Sequence, residues 1–216
     1  MNLSLECRKP GAALHGLVFL AALGVVLVAF PSLTWPWFLA IPLSIYACVA
    51  LSFPGMRRAM PAPALGRIGG LPLAFAVLIS AGTSIVLVAF QALAHPDMSN
   101  LTEHVPSSWY GNVVLAWPGF SLVNAALEEL VFRYVLWEIV ALEWSNAMAL
   151  CATSVIFGFI HMHGYPSGPA GAILAGIYGL CLGTLRWWTG GLGLAFACHV
   201  CADATIFGIL WGFVGV

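Results

Sequence analysis

The chain has 216 residues, 62% of them hydrophobic and 7% charged, with a formal net charge of −1. A soluble domain carries about 25% charged residues, so a water-soluble globular protein is excluded, and the lack of a basic stripe speaks against a nucleic-acid partner. The expected class is all-α: a polytopic transmembrane helical bundle, one integral membrane unit over residues 1–216.

Apolar runs of spanning length lie at roughly 12–30, 33–53, 71–94, 112–140, 145–161, 169–188 and 191–214, which sets the expected count at about seven spans, within six to eight. The first run is longer than the apolar stretch of a cleaved signal peptide and lacks its small-residue cleavage site, so it reads as an uncleaved span. Pro36 and Pro42 should make the second start late or bend. Pro54 to Gly70, with Arg57, Arg58 and Arg67, reads as a loop, and so does the polar stretch from His95 to Ser108. The fourth run is the longest. As a single helix from Gly111 to Trp144 it would reach ~50 Å at 1.5 Å per residue, with a kink expected at Pro118. Residues 1–111 thus supply N-terminal spans and loops, and residues 112–216 hold the motifs that carry chemistry.

Most of the 6 cysteines fall in apolar stretches and read as small buried hydrophobes, not as a disulfide framework. Cys198 and Cys201 form a single CxxC around His199, a weak redox or zinc signal without a second CxxC. His15 reads as interfacial, His95 and His104 as loop residues, and Trp35, Trp37, Trp187 and Trp188 as members of aromatic belts at span ends.

Three polar constellations interrupt the apolar spans. The first is Glu128-Glu129-x-x-x-Arg133. An ionisable group at membrane depth costs roughly 2.5–3.5 kcal/mol on insertion scales and marks function by default. Residues i and i+4 share a helix face, so Glu129 and Arg133 can pair and offset each other's burial. Glu128 is turned by about 100° and stays available. The bland alternative is a polar knot tying helices together. The second constellation is Phe157-x-x-x-His161 at the end of the fifth span, where His161 can act as a base or orient a water. The third is His199-x-x-x-Asp203 in the last span, where Asp203 can hold the His199 ring and fix its tautomer. Convergence of Glu128, His161 and His199 would give a site able to activate a water and attack a carbonyl. There is no Gly-x-Ser-x-Gly and no His-Glu-x-x-His, which removes the usual serine-hydrolase and zincin signatures.

With these motifs the chain resembles the CAAX-protease and bacteriocin-processing family, also called type II CAAX prenyl endopeptidases or glutamic intramembrane proteases. The family pattern is Glu-Glu-x-x-x-Arg, then Phe-x-x-x-His, then His-x-x-x-Asn or Asp, and all three occur here in order between about residues 120 and 205. Arg186-Trp-Trp-Thr-Gly-Gly is similar to the family's basic turn into its final helix. The resemblance implies an intramembrane endopeptidase in which Glu128 and His161 activate the water and His199 with Asp203 stabilise the oxyanion. Glu129, Arg133 and Phe157 would shape the site. Asp203 departs from the Asn of the best-described members and can donate a hydrogen bond only if protonated, so orienting His199 is its other possible task. No cofactor is implied. The expected partners are membrane lipid and a protein or peptide with a membrane-embedded or C-terminal segment, and the expected location is a bacterial inner membrane. Three rival readings stay open: a zinc protease on Glu128, His161 and His199, a non-enzymatic bacteriocin-immunity or assembly protein, and a transporter.

Six of the 7 Lys and Arg residues fall on one side of the membrane if the N-terminus is cytoplasmic: Arg8, Lys9, Arg57, Arg58, Arg67 and Arg186. In intact cells of a cysteine-free background, an impermeant thiol reagent should therefore label His163→Cys and spare Arg58→Cys. The reverse pattern would invert the orientation.

Overall fold

The computed structural model describes residues 12–96 and 112–214. Its helices are α1 (Ala12–Ala29), α2 (Trp37–Ser52), α3 (Pro54–Ala59), α4 (Gly70–Ala94), α5 (Val113–Glu129), α6 (Trp137–Glu143), α7 (Asn146–Ile160), α8 (Gly168–Thr189) and α9 (Gly193–Val214). A π-helical stretch, Leu130–Leu136, joins α5 to α6. Among the described residues there is no strand. Each apolar run has become helical, and the architecture is an all-helical membrane bundle. By length and apolarity α4, α8 and α9 can each cross a bilayer, whereas α1, α2 and α7 are shorter apolar helices.

Local chemistry sets the boundaries. The second span does start late: α2 begins directly after Pro36 and runs through Pro42. Asn112 opens α5 by accepting a hydrogen bond from the Leu115 amide, and Ser145 opens α7 by accepting from Met148. Gly190 closes α8 at φ 70, a left-handed cap that glycine adopts without strain. The helix is not interrupted at Pro118. Pro118 sits early in α5, where its missing N–H leaves only the Val114 carbonyl unserved. The irregularity comes ten residues or so later, in the π-helical stretch. There Arg186 Nε donates to the Arg133 carbonyl at 3.1 Å, a side-chain insertion of the kind that opens an α ladder.

Without a hydrophobic drive between helices, membrane bundles rely on close packing over small residues. α7 and α8 cross on such a seam. A Cβ on Gly158 would lie 2.6 Å from the Ala172 carbonyl oxygen, and one on Gly179 would lie 3.2 Å from Ser154 Cα. α9 packs against α5 and α4, α1 against α2, and α6 against α7. One apolar cluster joins Phe19, Tyr46, Val131, Phe132, Val135 and Phe157, and a second joins Ala76, Ile79, Leu182, Leu185, Leu194 and Cys198.

The connections sort to two sides. The segment before α4 is stitched to the α8–α9 turn by backbone bonds from Arg67 N to Thr189 O and from Leu192 N to Ala64 O. In the α7–α8 loop, Tyr165 reaches the far end of α4, donating to Gln91 at 3.1 Å. Helix α4 therefore runs antiparallel to α8.

Two side-chain expectations change, for the cysteines and for Trp35. His15 is 2% exposed and bonded to the Tyr46 hydroxyl and the Met56 carbonyl. Of the described cysteines only Cys198 is buried, while Cys48, Cys151 and Cys201 lie on the outer surface of the bundle, which in a membrane is itself apolar. Trp35 turns inward, away from a belt position, and donates to Asn124. Arg186 is held in an ion pair with Glu138. His104 falls outside the described residues.

The α7–α8 seam generates a stability test. Gly158→Ala should lower the melting temperature of the detergent-solubilised protein, because overpacking at such a contact costs about 1–3 kcal/mol. Gly24→Ala, with nothing within 4 Å of the new Cβ, should leave it near the parent value. Indistinguishable melting curves for the two variants would show that the crossing can spread without loss.

Candidate active site

The site is assembled where the C-terminal end of α5 meets α9. Glu129 and Arg133 are each 1% exposed. They pair across the α-to-π junction, Arg133 Nη1 to Glu129 Oε1 at 3.1 Å. The same Glu129 oxygen accepts a hydrogen bond from His199 Nδ1 at 2.8 Å. A carboxylate already facing a guanidinium can only accept, so Nδ1 carries the proton of that bond. Glu128 reaches the opposite edge of the same ring, with Oε2 3.5 Å from Nε2. The turn between adjacent helical positions lets the two neighbours flank one imidazole from both edges.

The sequence offered Asp203 as the group that holds His199. In the structure Glu129 does so. Asp203 Oδ1 is 3.9 Å from Nε2, beyond hydrogen-bond reach. The Asp203 carboxylate instead accepts from Asn124 Nδ2, at 3.3 and 3.2 Å to its two oxygens. An amide N–H from α5 serves a buried carboxylate better than an imidazole already committed to Glu129.

His161 caps the C-terminal end of α7, where the chain leaves the helix. Its Nδ1 donates to the Phe157 carbonyl at 2.7 Å. That bond fixes the tautomer and leaves Nε2 as the acceptor nitrogen of a neutral ring. The Phe157 ring is the hub of the motif. It lies 4.5 Å from the His161 ring and 5.9 Å from the His199 ring, with the Arg133 guanidinium 4.4 Å from its centroid. The spacing Phe-x-x-x-His is thus a packing requirement: one aromatic face seats the cation that holds Glu129 and the imidazole one turn on.

Glu128, His161, His199 and Asp203 all line one cavity of about 530 Å³, whose remaining wall is mostly apolar. The four residues singled out from three separate spans therefore do face a common space. Glu129 and Arg133 stand behind it, buried. Several polar atoms here have no protein partner, among them Glu129 Oε2, Ser154 Oγ and the Tyr178 hydroxyl. Such atoms are rare in folded interiors and gather at functional sites.

His199 Nδ1 is held by Glu129 and His161 Nδ1 by the Phe157 carbonyl, so in both rings Nε2 is the nitrogen these bonds leave open. Among the described residues no three His, Cys, Asp or Glu side chains are grouped to hold a metal ion.

Three residues of the site escaped the motif reading. Asn124 lies one turn before Glu128 and lines the cavity, a placement legible as i, i+4. Trp35 Nε1 donates to Asn124 Oδ1 at 2.8 Å from a turn 89 residues earlier, a contact that leaves no local signal. Tyr178 on α8 meets the His199 ring edge-on at 5.9 Å.

No curated protein and no solved structure matches the chain. Residues 110–214 match a family model described as type II CAAX prenyl endopeptidase Rce1-like, and the matched segment holds all three motifs and the helices that carry them. Over residues 110–214 this integral membrane protein is thus similar to the Rce1-like type II CAAX prenyl endopeptidase family, a likeness that supports a CAAX-type intramembrane protease.

Proposed function

We propose that the protein hydrolyses a peptide bond within the membrane by a glutamate-activated water. The observation that carries this reading is the shared cavity: Glu128 and His161 reach it from α5 and α7, and His199 and Asp203 reach it from α9. Glu128 takes a proton from water as the water attacks the scissile carbonyl. His161, with Nε2 as its acceptor nitrogen, orients that water or shares the proton. His199 faces the developing oxyanion, and Glu129 holds its ring from behind. The proton on Glu128 then passes to the leaving amine, which closes the cycle.

The apolar wall of the cavity suits a substrate that arrives through lipid: a C-terminal or membrane-anchored segment of a protein or peptide. With the N-terminus cytoplasmic in a bacterial inner membrane, the end of α7 and its loop face outward. The cavity would then serve trimming of an exported or membrane-anchored segment better than a cytoplasmic tail.

The test compares protein termini in cells carrying the parent chain and Glu128→Gln, followed by assay of the purified protein on the segment so found. Glu128→Gln should lower turnover by about 10²–10⁴-fold, the usual weight of a general acid–base group, with the melting temperature retained. Arg133→Ala should instead reduce the amount of folded protein, because removing one partner of a buried pair costs about 3–5 kcal/mol. Parent-like turnover in Glu128→Gln would overturn the glutamate mechanism, and a parent-like phenotype with no cleavage dependent on the chain would favour a non-enzymatic role.

A further inference from the structure

We infer that Asn124 supplies a second hydrogen-bond donor to the oxyanion, presented by Trp35 and Asp203. The inference rests on the proposed hydrolysis and adds to it a residue that lies outside the three motifs.

Hydrolysis through a tetrahedral intermediate needs N–H or O–H groups aimed at the developing negative charge. An ionised Asp203 offers acceptors alone. The amide of Asn124 offers two N–H groups, and it lines the same cavity as Glu128, His161 and His199. It stands on α5 one turn from Glu128, so a carbonyl attacked by a water on Glu128 lies within its neighbourhood.

An asparagine amide can sit either way round, and only one way serves. Indole Nε1 is a donor and nothing else. Trp35 Nε1 donates to Oδ1 at 2.8 Å, which forces the nitrogen of the amide to the other side. There Asp203 accepts from Nδ2 through both its oxygens, at 3.3 and 3.2 Å. The relay Trp35–Asn124–Asp203 thus joins the turn before α2, helix α5 and helix α9 in one directed chain. One N–H is committed to Asp203, and the residue keeps a partly exposed position in the cavity wall for the other. Asp203 in this account is a positioning residue that polarises and aims the amide, and Trp35 selects its orientation.

The experiment uses the purified full chain and the segment whose cleavage depends on Glu128. Turnover, KM, melting temperature and inhibition by a phosphinate analogue of that segment, a mimic of the tetrahedral state, are measured for Asn124→Ala, Asn124→Asp, Trp35→Phe and the exchange Asn124→Asp/Asp203→Asn. Loss of one oxyanion donor should lower kcat by about 10²–10³-fold, with KM nearly unchanged. Phosphinate binding should weaken in parallel, while binding of the cleaved product stays the same. Trp35→Phe should show a smaller loss of kcat, since the amide can still visit the productive orientation. The exchange returns an amide–carboxylate pair to the wall and should recover at least tenfold over Asn124→Asp.

Asn124→Ala or Asn124→Asp with more than a third of parental kcat would overturn the inference and leave the glutamate mechanism intact. So would a change confined to KM, equal weakening of phosphinate and product, or a set of Asn124 variants none of which folds, each of which marks a structural residue. Absence of any Glu128-dependent cleavage would overturn the proposed function together with this inference.

Discussion

One carboxylate oxygen organises the site. Glu129 Oε1 meets the Arg133 guanidinium at 3.1 Å and His199 Nδ1 at 2.8 Å, with all three side chains buried. A lone charge at this depth would be untenable, and each member of the group lowers the cost of the others. The arrangement also sets geometry. Arg133 is seated on the Phe157 face, so the ion pair ties α5 to α7. The bond to His199 ties both to α9. Three helices that have no hydrophobic reason to choose one register in lipid are given one by this cluster.

The ends of the helices then finish what the cluster begins. The π-helical stretch directly after Glu129 carries Arg133 inward, and Arg186 from α8 braces it by donating to the Arg133 carbonyl and pairing with Glu138. The glycine seam between α7 and α8 brings Ser154 and Gly179 close beside Arg133. Packing at backbone distance here leaves little freedom for the buried cation, and hence little for the Glu129–His199 bond that depends on it.

Much of this was legible in the chain because it is local. The spans follow from apolar runs, and the Glu129–Arg133 pair follows from i, i+4 spacing. The family resemblance rested on motifs that are each short and contiguous. What the sequence did not show is long-range. That His199 is held by Glu129, 70 residues away, rather than by Asp203, one turn away, is decided by how α5 docks on α9. Trp35 and His15 were read by their distance from span ends, yet tertiary contacts turn both inward. The fourth span turns π-helical where Arg186 meets it and stays helical through Pro118, because a proline near a helix start removes a single bond. Exposed cysteines overturned a rule made for water-soluble cores: in lipid an apolar side chain loses nothing by facing outward.

The shortness of α7 bears on how such a site is kept wet. Fifteen residues rise ~22 Å, against a hydrocarbon core of about 30 Å. Either the bilayer thins beside this helix or the polar loop that follows dips below the headgroups. Both bring solvent toward His161 along the side of the protein, so a bundle made mostly of apolar residues carries its own dent in the membrane. Lipid thickness then becomes a variable of the chemistry: a bilayer of longer acyl chains deepens the mismatch and makes each water molecule dearer to deliver.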